Sequence, residues 1–227
     1  MQQLTLDILQ TAAPKLDNFV VGPNAEAVSI AAAIGAGQVP ARTVLFWGPP
    51  GSGKSHLLQS VAAQRADSHR WLSPAHPESF EPTAGATVFL AQDIEQWPAE
   101  PLHRLFHLLN LLRPREDATV LVCSPQPPAG MTIRDDLRTR LAAGLVIGIA
   151  LLSDAEKSEA MQQHALAQGH KDIQPVCKWL LEHRARDIRA LMSYLDALDQ
   201  FALQTRRPVT LRLLHEFERN RQQSKLA

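Results

Sequence analysis

Residues 44–58 read Val44-Leu-Phe-Trp-Gly-Pro-Pro-Gly-Ser-Gly-Lys-Ser-His-Leu-Leu58 and contain the most informative motif of the sequence. The apolar run Val44–Trp47 predicts a buried strand, and the run stops at Gly48. A Pro/Gly-rich loop follows, and a helical pattern begins after Lys54 and Ser55. The spacing of Gly48, Gly53, Lys54 and Ser55 satisfies the phosphate-binding P-loop template in the strand–loop–helix context that the template requires.

The chemistry explains why the motif needs these residue types. Glycines allow the backbone to wrap closely and direct N–H groups at phosphate oxygens, and the helix N-terminus adds partial positive charge. Lys54 is expected to reach the β- and γ-phosphates, and the Ser55 hydroxyl is placed for Mg²⁺. A glycine-rich turn without a ligand is the alternative, but the complete motif in context favours a nucleotide site. The residues assigned to it are Gly48, Pro49, Pro50, Gly51, Ser52, Gly53, Lys54, Ser55 and His56.

The composition is that of a soluble globular protein. The chain has 227 residues, 45% of them hydrophobic and 20% charged, with a formal net charge of zero. No global field therefore recruits nucleic acid or an anionic membrane. Two distant cysteines indicate a reducing compartment, and neither a signal peptide nor a membrane span is recognisable, so we expect a cytoplasmic protein without a membrane partner.

The order of predicted elements gives an α/β fold. Short apolar strands alternate with helices up to about residue 152, which implies a parallel sheet flanked by helices, whereas only helices follow. We predict a nucleotide-binding core over residues 16–152 and a small all-α lid over 153–227. Residues 1–15 form an N-terminal tail, whose alternating Leu4, Leu6 and Ile8 suit an edge strand or an extended peptide that docks on a partner.

The acidic residue that this chemistry requires is not at the usual position. A P-loop ATPase needs an acidic residue at the end of a neighbouring strand to hold Mg²⁺. Here Gln92 stands at the strand end, and Asp93 is the best candidate for the metal and catalytic role. A neutral amide does not replace a carboxylate opposite Mg²⁺, so nucleotide binding is a firmer prediction than hydrolysis.

Several other residues have ordinary explanations. Arg138, Arg140 and Arg189 could meet phosphate charge, although most single arginines are solvated or paired. His103 and His107 have metal-capable spacing but no evident third ligand, which favours surface histidines. Basic residues near Arg206 and from Arg219 onward lack interleaved aromatic residues, so a solvated face is favoured over DNA contact.

Four segments resemble, in order, the motifs of AAA+ proteins of the DnaA type. Asp17–Asn24 looks like the adenine-side motif, which implies that Val20 and Val21 line the base, and Val122–Pro128 looks like the sensor 1 strand and turn. Asp136–Leu141 is similar to the segment that carries the family's arginine finger, which places that role on Arg140. The segment 186–191 is similar to the sensor 2 helix, which places a nucleotide-binding arginine at Arg189.

Two differences narrow the resemblance to DnaA-homologous regulators of replication initiation. We expect the protein to lack the helix-turn-helix DNA-binding domain that DnaA carries after its lid, and to have a short tail in place of the long N-terminal part of DnaA. The tail resembles the peptide that binds the replicative sliding clamp, the β subunit of DNA polymerase III, through Gln3, Leu4, Leu6 and Ile8.

The resemblance implies a mechanism. Bound to the DNA-loaded clamp, such a protein meets ATP-bound DnaA and promotes hydrolysis of that ATP, which prevents re-initiation. Arg140 would act in trans, DNA contact would be indirect through the clamp, and the bound nucleotide would be ADP or ATP with Mg²⁺. A homodimer is left open.

Two departures from the family pattern bear on the chain's own ATPase activity. Gln92 stands at the usual acidic position, and Pro125 stands where an aspartate is common. Both imply weak or absent intrinsic hydrolysis and favour an activator over an enzyme. Two alternatives remain open: an adaptor of the helicase-loader type and a self-sufficient AAA+ ATPase.

Overall fold

A computed structural model describes residues 13–83, 85–184 and 187–226 of the chain. These residues form two compact units, Pro14–Leu151 and a second unit that contains the residues from Leu152 onward. None of the helices in the described ranges is long and apolar enough to cross a membrane.

The first unit is built on a five-stranded sheet in the order β2-β3-β4-β1-β5, in which all pairs of neighbours are parallel. The strands are β1 (Thr43–Trp47), β2 (His69–Trp71), β3 (Val88–Ala91), β4 (Thr119–Ser124) and β5 (Leu145–Gly148). The carboxyl ends of parallel strands meet at one edge, and in sheets of this kind ligands bind at that edge.

Both faces of the sheet are covered. The side chains on both faces of its central strands are therefore apolar. On β1, Leu45 packs into one hydrophobic cluster, while Val44 and Phe46 pack into the other. The helices around the sheet are α1 (Ala25–Gly35), α2 (Lys54–Gln64), α3 (Ala99–Leu111) and α4 (Asp135–Ala142).

The regular elements in the described part of the second unit are four helices, which have their own core. They are α5 (Asp154–Ala167), α6 (Gln174–His183), α7 (Ile188–Thr205) and α8 (Leu211–Leu226). The side chain of Ser153 accepts a hydrogen bond from the Glu156 N–H, and Glu156 bonds back to Ser153, which is the capping box that the sequence predicts. The fold class predicted from the sequence, a parallel α/β core with a helical lid, is confirmed.

Two element boundaries differ from the sequence prediction. The apolar pattern predicts a last strand that reaches Leu151, but the strand ends at Gly148, although the Ile149 N–H still bonds to the Trp47 carbonyl. The pattern also predicts a last helix that ends at Phe217, but this helix continues to Leu226. Its polar residues from Arg219 onward are good helix formers, so their polarity does not signal a helix end.

Asn24 does not cap α1 in the way the sequence suggests. It stands at the N-cap position, but its side chain makes no capping hydrogen bond. Instead its amide donates to the Ala150 carbonyl over 3.1 Å and its carbonyl accepts from the Ala150 N–H over 2.8 Å. These two hydrogen bonds fix the chain just beyond β5 to the start of α1.

We predict that Asn24→Ala destabilises the protein by about 1–3 kcal/mol, because it removes both hydrogen bonds that the buried Asn24 side chain makes to the Ala150 backbone. Urea unfolding measures the change. Ser29→Ala, at an exposed position on the same helix, is the matched control and should change stability by less than about 0.5 kcal/mol. Equal losses for the two variants would contradict the role given to Asn24.

Candidate nucleotide-binding site

The predicted P-loop connects the end of β1 at Trp47 to the start of α2 at Lys54. Gly48 is tightly enclosed, since a Cβ atom there would lie 2.2 Å from the Ile149 carbonyl oxygen. Gly53 has φ of 102°, a conformation that favours glycine, and a Cβ atom there would meet the ring of Phe19 at 2.7 Å. Larger residues at either position would displace the loop.

The ammonium group of Lys54 is held inside this loop. Its Nζ donates to the carbonyl oxygens of Gly48 at 2.6 Å and Pro49 at 2.9 Å. Burial lowers the pKa of Lys54, while the acidic residues Asp93 and Glu95 act in the opposite direction. The positive charge is therefore positioned beneath the loop without a direct ion pair among the described residues.

Ser52 provides a test of whether the loop fits a phosphate group. Its Oγ is buried and has no hydrogen-bond partner in the described part of the chain. A phosphate oxygen is an acceptor that could satisfy this hydroxyl and the Lys54 ammonium together. The residues present therefore fit a nucleotide phosphate, with Ser52 and Lys54 as side-chain ligands.

The N-terminal segment of the first unit packs on the P-loop helix. His56 Nε2 lies 2.8 Å from the Lys15 carbonyl oxygen, and the rings of His56 and Phe19 meet edge to face at 5.2 Å. Val20 and Val21 follow Phe19 directly, and Val21 is 40% exposed. Their contact with a base stays a prediction. Phe19 was not assigned to the site from the sequence, although it is the aromatic residue next to Val20.

Gln92 lies between the two residues predicted to serve Mg²⁺. Its Nε2 donates to Ser55 Oγ over 2.9 Å and to Asp93 Oδ2 over 3.2 Å. The amide thus connects the hydroxyl and the carboxylate, with its nitrogen rather than an oxygen facing Ser55. Asp93 has φ of 52°, a left-handed conformation that few residues other than glycine adopt, although aspartate adopts it more often than most. The metal roles of Ser55 and Asp93, and the catalytic role of Asp93, stay predictions.

Glu95 is a further acidic residue that the sequence reasoning missed. Its Oε2 is buried without a hydrogen-bond partner in the described ranges, and burial raises the pKa of Glu95. Asp93 raises this pKa further, while Lys54 lowers it. Carboxylate oxygens are ligands that Mg²⁺ prefers, so Ser55, Asp93 and Glu95 are the residues that could hold this ion. A second acid two positions after Asp93 was the available signal.

The end of β4 lies directly against the P-loop. The Gly48 N–H donates to the Ser124 carbonyl over 3.1 Å, and the Gln126 N–H donates to Ser124 Oγ over 3.2 Å. The segment that resembles sensor 1 therefore lies beside the loop, with Pro125 in its turn. Cys123 precedes it, and burial raises the pKa of its thiol, which keeps the thiol neutral.

Arg140 differs from the other arginines around α4. Arg134 pairs with Asp136 over 2.6 Å and Arg138 pairs with Asp135 over 2.8 Å, so a carboxylate compensates each charge. Arg140 instead donates from Nη2 to the amide oxygen of Asn110 on α3, over 2.6 Å. In the described residues, Arg140 has neither an ion pair nor a hydrogen bond to the P-loop. Its side chain is oriented by a neutral acceptor, and its charge is uncompensated.

Arg189 of the lid and the residues of the tail are the remaining predicted site residues. Arg189 lies in the first turn of α7, where the Asp187 carboxylate caps the helix by accepting from the N–H groups of Arg189 and Ala190. Its contact with nucleotide stays a prediction. The clamp-binding residues Gln3, Leu4, Leu6 and Ile8 lie outside the described residues.

The histidine pair on α3 shows no sign of a metal centre. His103 and His107 have their Nε2 atoms 3.0 Å apart, the distance of a hydrogen bond from one ring to the other. Among the described residues, no group of three or more histidine, cysteine or acidic side chains is arranged to hold a metal ion.

Comparison with known proteins identifies the lid and the fold. Residues 154–217 match the family model described as Hda, lid domain. Domain III of the replication initiation protein DnaA from Thermotoga maritima is similar, with a TM-score of 0.69 and 19% identity over 91% of this chain and 97% of that one.

Two further structures have the same fold. AMPPCP-bound DnaA from Aquifex aeolicus has a TM-score of 0.66 and 19% identity, over 85% of this chain and 67% of that one. The RuvB Holliday junction branch migration motor of Thermotoga maritima has a TM-score of 0.61 and 16% identity, over 91% and 71%. The chain therefore has the fold of these proteins, and its residues 154–217 match the Hda lid-domain model.

Proposed function

We propose that this protein is a nucleotide-binding regulator of replication initiation that stimulates hydrolysis of ATP bound to DnaA. In this proposal the N-terminal peptide binds the DNA-loaded sliding clamp and Arg140 completes the active site of DnaA in trans. The match of the lid to the Hda model supports the choice of a DnaA regulator among AAA+ proteins. The single observation that carries the mechanism is the uncompensated charge of Arg140 beside Asn110.

The P-loop supports binding of ADP or ATP. Lys54 and the orphaned hydroxyl of Ser52 are donors for phosphate oxygens, and the glycines permit close approach. DnaA from Aquifex aeolicus, which has the same fold, binds AMPPCP, an analogue of ATP. When bound, Mg²⁺ would neutralise phosphate charge, and Ser55, Asp93 and Glu95 are its available ligands.

Weak intrinsic hydrolysis follows from the position of Gln92. The amide nitrogen is bonded to Ser55 Oγ, so an N–H donor lies where a cation beside Ser55 would need an oxygen ligand. A protein that binds nucleotide but hydrolyses it slowly remains in one nucleotide state. Such a state suits a module whose task is to present Arg140 to a partner.

The geometry of Arg140 suits action on a partner. An arginine that stabilises the transferred phosphoryl group in trans must keep its charge available and its direction fixed before the partner arrives. The amide oxygen of Asn110 orients the Arg140 side chain without neutralising its charge. A carboxylate in its place would orient the side chain and neutralise the charge as well. The clamp-binding tail would then raise the effective concentration of the protein near DnaA on the same DNA.

Restoring an acid at the strand end should increase the chain's own hydrolysis. We predict that Gln92→Asp raises the intrinsic ATP turnover by at least about tenfold, because a carboxylate then faces Mg²⁺ beside Ser55. Phosphate release from purified protein measures the rate. Gln96→Asp, an exposed change in the following turn, is the matched control and should leave the rate unchanged. Unaltered turnover in the Gln92→Asp protein, with ATP still bound, would contradict the explanation.

The main experiment measures hydrolysis of DnaA-bound ATP in the presence of clamp loaded on DNA. We predict that Arg140→Ala lowers the stimulated rate by at least about 100-fold while clamp binding is unchanged. The triple change Gln3→Ala, Leu4→Ala, Leu6→Ala should abolish both clamp binding and stimulation at low protein concentration. Full stimulation by Arg140→Ala would remove the role of this arginine, and normal clamp binding by the triple variant would remove that of the tail.

Two further variants sharpen the test at Arg140. Arg138→Ala, which removes an arginine already paired with Asp135, should keep stimulation within about twofold. Asn110→Asp should form an ion pair with Arg140 and reduce stimulation by about tenfold or more, although the side chain remains fixed. Equal effects of Arg138→Ala and Arg140→Ala would indicate a general loss of positive charge rather than a specific arginine.

A further inference from the structure

One end of the lid carries a group of basic and aromatic side chains that the nucleotide site does not use. They surround a shallow recess between the C-terminal end of α6 and the outer face of α8. This group, which we call the lid patch, consists of Trp179, His183, Arg184, Arg212, His215, Glu218, Arg219 and Arg221.

An inner layer holds the lid patch together. The Arg184 guanidinium lies over the rings of Trp179 at 5.7 Å and Tyr194 at 5.2 Å. The Glu218 carboxylate pairs with Arg184 and accepts a hydrogen bond from the Tyr194 hydroxyl. The carboxylate of the lid patch is thus already bound to partners inside the lid.

An outer layer carries charge that no carboxylate in the described ranges compensates. Arg212, His215 and Arg219 follow one another at spacings of three and four residues on α8, so they share one exposed face. Neither Arg212 nor Arg219 has an ion pair with any described residue. By contrast, Arg207 at the base of α8 pairs with Glu216 over 2.7 Å. The lid patch therefore has a marked excess of positive charge in a chain whose formal net charge is zero.

The same surface presents flat rings in a fixed orientation. The rings of Trp179 and His183 are stacked, with centroids 4.5 Å apart and planes 8° apart. His183 Nδ1 lies 2.9 Å from the Trp179 carbonyl oxygen, a contact that fixes the imidazole, and the rings of Trp179 and His215 meet edge to face with centroids 5.6 Å apart. His183 is exposed, so its ring is accessible at the margin of the basic face.

We propose that the lid patch binds single-stranded nucleic acid, with Arg212 and Arg219 on the phosphates and a base stacked on His183. An acidic protein segment would use the positive charge but would gain little from an oriented ring pair. A duplex would use the arginines, but its bases are stacked on one another and not available to His183. Positive charge beside a fixed aromatic platform is the combination that unpaired strands use.

Fluorescence anisotropy of a labelled oligothymidylate about 20 nucleotides long, titrated with the full chain at low salt, tests the proposal. Reversing both charges in Arg212→Glu/Arg219→Glu should weaken binding by at least about tenfold. It should also reduce the slope of log binding constant against log salt concentration by about 1.4, because roughly 0.7 is lost for each phosphate that is no longer neutralised. His183→Ala should weaken binding by about fivefold or more without changing the salt slope, because it removes stacking and leaves both arginines on the phosphates.

The matched control makes the same change of charge elsewhere on the lid. Lys171→Glu/Lys178→Glu alters two exposed lysines outside the lid patch and should keep affinity within about twofold. The proposal is overturned by absence of binding at low salt, or by equal losses in the two double variants. It is also overturned if duplex DNA or polyglutamate of the same length binds as tightly as the single strand. Circular dichroism melts confirm that each variant is folded.

Discussion

The close approach of the P-loop to the ends of β4 and β5 is the constraint on which the rest of the site depends. Gly48 donates to the Ser124 carbonyl, and the Ile149 carbonyl lies where any Cβ atom on Gly48 would be placed. One residue later, Ala150 is bonded through both backbone groups to Asn24. These contacts hold the start of α1, the P-loop and the sensor-like turn in one arrangement. A substitution that displaces one of these segments therefore also displaces the other two.

Within that arrangement the site has all the parts for binding and an altered set for hydrolysis. Lys54 and Ser52 provide donors for phosphate, but Gln92 connects Ser55 to Asp93 where a carboxylate would serve a cation. Glu95 adds a carboxylate with one buried oxygen, close enough to Lys54 and Asp93 for their charges to act on its pKa. This chemistry supports the proposed division of labour, in which the chain keeps its own nucleotide and Arg140 acts on the nucleotide of a partner.

The parallel sheet and the P-loop could be predicted from the sequence because both depend on local patterns. The apolar runs of β1, β3 and β4 and the glycine spacing are each contained in a few consecutive residues. The features that could not be predicted are contacts between residues distant in sequence. The Asn24 side chain bonds to Ala150, and Arg140 to Asn110, and nothing near these residues in the sequence reveals either partner. The lid patch was missed for the same reason, because its rings lie on α6 and its exposed arginines on α8.

Binding of an adenine nucleotide to the P-loop through Lys54 underlies the whole proposal, and calorimetric titration of ADP and ATP into the purified chain measures it. We predict a Kd on the order of micromolar or tighter for the unaltered chain and at least a roughly 100-fold weaker Kd for Lys54→Ala. Gln59→Ala, at an exposed position on α2, should bind as the unaltered chain does. Absence of binding by the unaltered chain, or equal affinity in the Lys54→Ala protein, would contradict this claim.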